Sequence, residues 1–453
     1  MNEKSSGRYE EMVRRVLDVF ARLPKKGKPQ PHEYTTLASV VLSFEGDNPI
    51  KQPMPHADLQ VLVISTGTKC LPAKDRCHVG TSLNDCHAEV LARRLVLYWL
   101  YNEMEVAMTD ESRVLRKAND SYQIKDGVKF HLVICSPPCG DAAIVEFEQA
   151  CQGLTQQSAC NRVRTGAKPI CRSEDGKIQL PTSADVETYG LMQTKGVVRR
   201  KPGRGEPSSS VSCSDKIAKW LRIGFQGGLM LSLLVDPLYF ESIILFGGYE
   251  DEEKRLAACV SLEEGVWGRL QNLNERLQTT PFSTAKRPNF EIVHVDSAYL
   301  HRLGLSQGGC PLFDRKVASG SSGMWWADNS NLWHPKKNSN IPLDGRNCEA
   351  VIGKFGFKVG FSAAKFHKDI LDEAKVPKQA RSRICRSYLT STCLSKHDLN
   401  TINASNCTTY EELKILLASE YSAAWHSLRK DPSGLSNWPL KEPTKLAIGI
   451  FDP

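Results

Sequence analysis

No stretch of this chain reaches eighteen consecutive apolar residues, so a membrane-spanning helix is not expected. The start lacks the apolar core of a secretory signal, since Met1 to Gly7 are mostly polar. Glu3, Glu10, Glu11 and Asp18 also argue against a transit peptide, a class poor in acids. Internal repeats and a long low-complexity tail are missing too, which excludes solenoid and fibrous architectures. A disulfide framework is excluded on other grounds. The fifteen cysteines are odd in number and scattered over 453 residues, whereas disulfide-dense folds are short. Reduced thiols in the cytoplasm or nucleus are expected, some of them free for metal. What is present is ordinary: 41% hydrophobic residues, and length enough for a sizeable core in one large domain or two or three smaller ones. A formal charge of +8 permits an anionic partner without demanding one.

The apolar pattern lays out an α/β chain. Met12, Val13, Val16, Leu17 and Phe20 recur at helical spacing within 8–23. A Pro/Lys/Gly linker follows, Leu23 to Pro31. Ala38 to Phe44, Leu59 to Ile64, Phe130 to Cys135 and Ile243 to Phe246 are short Val/Ile/Leu runs that read as buried strands. Helices are expected from His87 to about Tyr101, from Cys139 to Ala150, over 217–234 and over 250–275. Tyr410 to Lys430 reads as one amphipathic helix carrying Leu413, Leu416, Leu417, Tyr421, Ala424, Trp425 and Leu428 on a stripe. Strands alternating with helices predict a sheet layered with helices. Gln152 to Ser210 is polar and basic and reads as surface excursions. Trp325, Trp326 and Trp333 are core or base-stacking groups, core being the commoner fate of tryptophan. His131, His294 and His301 show no ligand partners at useful spacing.

Chemistry concentrates in Leu83 to Arg94. Asn84 or Asp85 is expected to cap a helix there, which would set His87 and Glu89 at its positive end. A neutral imidazole with a carboxylate two residues on is what a zinc-activated water requires, one to bind metal and the other to move protons. Cys139 lies between Pro138 and a helix start, where free N–H groups favour thiolate. A second cysteine three residues on would complete the usual zinc-deaminase spacing, but Ala142 stands there. Cys135 is expected to point into the sheet core, and Cys151, Cys160 and Cys171 fall outside the helix. Cys213, at a loop-to-helix junction capped by Ser214 or Asp215, repeats the setting of the other two and ranks first.

Leu83 to Arg94, Ser136 to Asp141 and Ser212 to Trp220, in this order, closely resemble the three deaminase motifs of the RNA adenosine deaminases. Ser65 to Cys70 and the Gln226 to Gly228 region match as well, and the resemblance runs from about Ala38 to Pro443. It implies a cytidine-deaminase-like mixed sheet layered with helices, with long insertions and a C-terminal helical extension. An N-terminal helix and linker (1–37), a deaminase domain (38–443) and a tail (444–453) follow from it. It also implies that His87, Cys139 and Cys213 hold zinc while Glu89 shuttles protons in the hydrolysis of adenosine to inosine.

The family includes editors of double-stranded RNA and an enzyme acting on tRNA just 3′ of the anticodon. Two features favour the tRNA branch. The segment before residue 38 leaves no room for separate duplex-binding modules. In Lys201 to Gly205, Arg204 stands where duplex editors carry a glutamate that fills the space of the extruded base. An anticodon-loop base is already unpaired and needs no such plug. Arg199, Arg200, Lys201 and Arg204 are therefore expected to grip the anticodon stem-loop of alanine tRNA, a solvated basic loop being the alternative. Thr68 and Lys69 resemble a substrate-side loop near the ribose and its flanking phosphate. A duplex-RNA deaminase and an inactive RNA-binding relative with structural zinc are the other readings; Glu89 speaks against the second. Length and the basic excursion speak against a free-nucleoside deaminase. No membrane and no obligate protein partner are expected.

The resemblance further implies buried inositol hexakisphosphate at Asn84, Arg93, Arg94, Lys216, Lys219, Arg386, Tyr410, Lys414, Tyr421, Trp438 and Lys441. Gly228, Trp425 and Leu440 depart from the family pattern by replacing polar residues. Independently of the family, Arg93 and Arg94 share a helix whose apolar neighbours are buried, and buried arginines need anions. Asp and Glu would serve as well.

Overall fold

Leu37 to Phe44 are buried at seven successive positions, as in a strand covered on both faces. In the computed structural model it is the centre of an eight-stranded mixed sheet. Residues 3–45, 58–144, 167–169, 171–172, 178–179, 195–203, 206–273, 277, 280–306, 317–329, 347–361, 376–397, 406–430, 435–439 and 442–446 are described.

The strands used below are β1 (Leu37–Phe44), β2 (Leu59–Thr66), β3 (Thr68–Cys70), β4 (Asp85–His87), β5 (Val128–Ile134), β6 (Arg199–Gly203), β7 (Glu206–Val211), β8 (Phe240–Gly247), β9 (Asn289–His294), β10 (Ser321–Trp326), β11 (Cys348–Ile352) and β12 (Phe357–Lys358). The helices are α1 (Glu3–Arg22), α2 (Ala88–Met108), α3 (Cys213–Ile223), α4 (Glu252–Val266), α5 (Arg386–Leu394), α6 (Tyr410–Leu417) and α7 (Ser419–Arg429). Sheet order is β9-β8-β5-β1-β2-β10-β11-β12. Strands β5, β8 and β9 run parallel; from β1 onward each pairing is antiparallel.

The expected α/β architecture is present, C-terminal helices included. Helix α2 packs on β1, β2 and β10, and α1 spans from β2 to β9. The α1 stripe Met12, Val13, Val16, Leu17 and Phe20 is buried in the same core as the sheet, so this helix is not an appendage. Thr444 and Lys445 also belong to the fold: Lys445 bridges to Thr409, and Thr444 accepts a hydrogen bond from Arg76. Trp325 and Trp326 are core residues of β10; Tyr98 of α2 meets Trp326 edge-on, centroids 5.4 Å apart. Trp333 lies outside the described residues.

Tertiary context changes three expectations. The helix expected over 217–234 ends at Ile223, where Gly224 has φ +77°. The segment 410–430 is two helices, broken at Ala418, where φ is −147° and ψ 64°. Leu416 consequently leaves the apolar stripe and is exposed. Of the polar middle region, 195–203 and 206–211 carry the β6–β7 hairpin, whose inner positions are buried. Charge hid it: the buried side chains include arginine and lysine, which pattern reading assigns to the surface.

Helix α4 approaches the loop after Cys139 closely enough that a Cβ on Gly265 would lie 2.4 Å from the Ala142 nitrogen. Gly265→Ala should cost about 1–3 kcal/mol by overpacking, more than the roughly 1 kcal/mol an alanine gains in a helix. Chemical denaturation checks this; a more stable variant would show that the contact yields freely.

Candidate metal and catalytic site

The ribbon of β3 and β4 pairs Thr68 with His87 and Cys70 with Asp85. It keeps the backbone extended up to Ala88, whose N–H donates to Gly67 O at 2.9 Å. Helix α2 therefore starts at Ala88, with His87 as its N-cap residue and no side-chain cap. The expected cap by Asn84 or Asp85 is absent because ribbon pairing holds both residues away from the first turn. Cys139 follows a proline pair, and Gly140 after it has φ +110°. A Cβ on Gly140 would lie 2.4 Å from Ser212 Oγ, so glycine lets the two cysteine loops meet. Cys213 is the first residue of α3, whose N-cap Ser212 accepts from the Asp215 N–H.

These three junctions converge. His87 Nδ1 lies 3.8 Å from the Cys139 sulfur and 3.7 Å from the Cys213 sulfur, and all three ligand atoms lie within 4.8 Å of one another. Two ligands of a tetrahedral zinc, with bonds of about 2.0–2.3 Å, stand about 3.6 Å apart, so the set fits zinc. The hydrogen bond from Cys213 holds the Cys139 thiol well below its ordinary pKa, assisted by Lys201 and His87. Glu89 is buried beside the cluster, and its Oε2 has no hydrogen-bond partner. Burial raises its pKa, with Cys139 adding to the rise and His87 opposing it. A carboxylate so placed can take up and release a proton without being tied to a structural partner.

Behind the cluster runs a buried ionic chain. Lys201 Nζ lies 3.1 Å from the Cys213 sulfur and 2.9 Å from Asp85 Oδ2, and Lys216 bonds the same Asp85 oxygen. Burial works against ionising Asp85, but Lys201 and Lys216 outweigh it and hold the carboxyl well below its usual range. Burial likewise opposes the charge on Lys201; Asp85, Cys213 and Cys139 keep it protonated.

Residues 63–308, more than half of the chain, match the adenosine-deaminase (editase) domain family. The chain belongs to that family. Among similar proteins, tRNA-specific adenosine deaminase 1 of Drosophila melanogaster is 37% identical over 238 residues, 51% of this chain and 54% of that protein. The double-stranded RNA-specific editase Adar of the same organism is 31% identical over 293 residues, 62% of this chain and 40% of its own length. This chain thus spans about half the length of these two relatives. Human tRNA-specific adenosine deaminase 1 is 24% identical over 503 residues, 91% and 94% of the two chains.

Of the RNA-gripping residues expected for an editase-domain protein, two are misassigned. Arg199 and Lys201 are almost fully buried, Arg199 against Asp141 at 2.8 Å and Lys201 against Asp85. Neither can reach a phosphate without breaking a buried ion pair. Arg200 is half-buried, its Nε donating to Ser208 O at 2.8 Å, and Arg204 lies outside the described residues. Thr68 and Lys69 are half-buried beside His87 on the ribbon. His131 is structural: Ser43 and Ser242 hydrogen-bond its two ring nitrogens at 2.8 and 2.7 Å.

The residues expected around an inositol phosphate line one cavity of about 280 Å³. Asn84, Arg93, Arg94, Lys216, Lys219, Arg386, Tyr410, Lys414, Tyr421 and Trp438 face it; Lys441 and Leu440 lie outside the described residues. Arg76 joins them, unforeseen because its segment carries no pattern. Seven cationic residues and one carboxylate, Asp85, form the lining. Burial lowers the Arg94 pKa to about 10 and that of Lys414 to about 8; Glu411, outside the lining, stands 3.8 Å from Arg386. Lys219 sits over the Trp425 ring at 3.7 Å, and a Cβ on Gly228 would lie 2.8 Å from Lys414 Cγ. The break at Ala418 lets both α6 and α7 face the cavity, through Tyr410, Lys414 and Tyr421.

Asp141 and Arg269 were not foreseen, and Asp215 only as a cap of α3, a role that Ser212 takes. One signal was present: each aspartate stands two residues after a cysteine of the cluster. Arg269 offered none.

Proposed function

We propose that the chain hydrolyses adenosine to inosine in tRNA, at the adenosine just 3′ of the anticodon of alanine tRNA. The carrying observation is the His87, Cys139 and Cys213 set with the buried carboxylate of Glu89 beside it, whose Oε2 has no hydrogen-bond partner. Zinc held by the three residues supplies a Lewis acid that brings the pKa of water toward neutrality. Glu89 takes the proton of the attacking water and delivers it to the purine ring nitrogen. Water adds at C6, the C6–N bond breaks, and the amino group leaves as ammonia. The ribbon brings Thr68 alongside His87, a position suited to the substrate ribose. Lys69, next to it, suits the flanking phosphate.

Two similar proteins carrying the name tRNA-specific adenosine deaminase, one of them matched over 94% of its length, favour tRNA as substrate. Arg204 in place of a base-replacing glutamate agrees with an unpaired target. A tRNA substrate and reduced thiols would suit work in the cytoplasm or nucleus. Inosine mapping of transcribed alanine tRNA and long duplex RNA, treated in parallel, is the test. Inosine 3′ of the anticodon and none in duplex is expected; the reverse would assign the chain to duplex editing, and no inosine in either would remove the activity.

The cavity around Arg93 and Arg94 fits a compact polyanion, inositol hexakisphosphate in this reading, because its cations outnumber its carboxylates and are desolvated. Mass spectrometry of the denatured, freshly purified protein should find one inositol polyphosphate per chain. Finding none would overturn the assignment.

A further inference from the structure

Asp141 and Asp215 each stand two residues beyond a cysteine of the cluster, and both are buried. They belong to different loops, and one side chain joins them. Arg269, in the 3₁₀ segment Gly268–Leu273 that follows α4, places Nη1 3.0 Å from Asp141 Oδ2 while its Nη2 bonds Asp215 Oδ1. Arg199 joins the same pair again. Its Nε donates to Asp141 Oδ1 at 2.8 Å and its backbone N–H to Asp215 Oδ2 at 3.0 Å. The Gly196 N–H donates to Asp141 Oδ2 at 2.6 Å, and Ser212 Oγ donates to Asp215 Oδ2 at 2.6 Å. All four carboxylate oxygens are therefore used, and two arginines balance two aspartates without a ligand.

We propose that Arg269, with Arg199, is a positioning residue of the metal site, fixing the separation of the Cys139 and Cys213 sulfurs through Asp141 and Asp215. A guanidinium is rigid and planar, so bonding one carboxylate from each terminal nitrogen sets the distance between them. Each aspartate is tied by two peptide units to a cysteine, and the distance passes on to the sulfurs. The cysteine loops also meet directly: the Ser214 N–H donates to Cys139 O at 3.0 Å and Ser214 Oγ to Pro138 O at 2.9 Å. Those bonds fix the loops at their near end. The arginine bridge fixes them at the far end, so that the pair cannot pivot. The bridge approaches from the α4 side, whereas Lys201 acts on Cys213 from the ribbon side. This rests on the zinc reading above.

Lysine keeps the charge of Arg269 but has one nitrogen and cannot span both carboxylates. Arg269→Lys should bind zinc about 10- to 100-fold more weakly, the usual effect of disturbing groups that hold metal ligands. Competition with a chromophoric chelator measures this. With cobalt(II) as probe, the parent should show intense tetrahedral d–d bands and thiolate charge transfer, and the variant weaker, shifted bands. A folded Arg269→Lys with zinc affinity within twofold of the parent and the same cobalt spectrum would overturn the proposal. Should the variant not fold, hydrogen exchange of the parent decides, because coupling is reciprocal. Chelating the metal should then speed exchange at the Gly196 and Arg199 amides more than at β1 amides; an equal or smaller change overturns the proposal. A parent that binds neither ion would remove the zinc reading itself and this inference with it. A parent that binds both, beside an unaltered variant, removes only the inference.

Discussion

Glu89→Gln should lower inosine formation by about 10²–10⁴-fold, the range a positioned proton carrier contributes, while zinc stays bound at one per chain. Glutamine preserves shape and removes the titrating oxygen. Glu89 is not within the ligand set, so metal content should not change. The substitution should also leave stability equal or higher. Oε2 has no hydrogen-bond partner, so the substitution breaks no bond of that oxygen, and burying a neutral amide costs less than burying a charge. Metal analysis, thermal unfolding and inosine release from one preparation test all three statements together. Near-parent inosine formation by Glu89→Gln would falsify the role given to this residue.

The second large effect concerns Lys201→Met. The lysine is 1% exposed and bonds both Asp85 and the Cys213 sulfur. Removing one partner of a buried ion pair costs about 3–5 kcal/mol, because a charge is left without compensation. Lys216 remains on Asp85, which places the expected loss toward the lower end. Lys216→Met makes the comparison informative. It removes the other cation from the same carboxylate without touching a zinc ligand, so both variants should lose stability. Only Lys201→Met should also weaken zinc binding by about 10-fold or more. Denaturant unfolding and zinc competition separate the two effects. Equal zinc affinities in the two variants would show that contact with the Cys213 sulfur does not matter to the metal.

Most of the sheet was legible because its central strands are short apolar runs whose burial matches their hydrophobicity, as in Leu37–Phe44 and Val128–Ile134. The α1 stripe was legible for the same reason at helical period. The β6–β7 hairpin was not, since a buried arginine or lysine is recognisable only from its partner, and Asp85 and Asp141 lie 116 and 58 residues from theirs. The break at Ala418 was hidden because both halves of the stripe are individually helical.

His87, Glu89, Cys139 and Cys213 could be named as candidates from local chemistry, with family resemblance supporting the third ligand. Cys139 and Cys213 sit at junctions whose turn and cap residues, Gly140 and Ser212, stand next to them. What tertiary structure alone decided is how those junctions are held. A two-stranded ribbon, not a side-chain cap, starts the helix after His87, and Arg269 and Lys201 reach the cysteine loops from distant segments. The physical reason is range. Caps, turns and periodicity act within a few residues, whereas a desolvated charge is satisfied by whatever the fold brings against it.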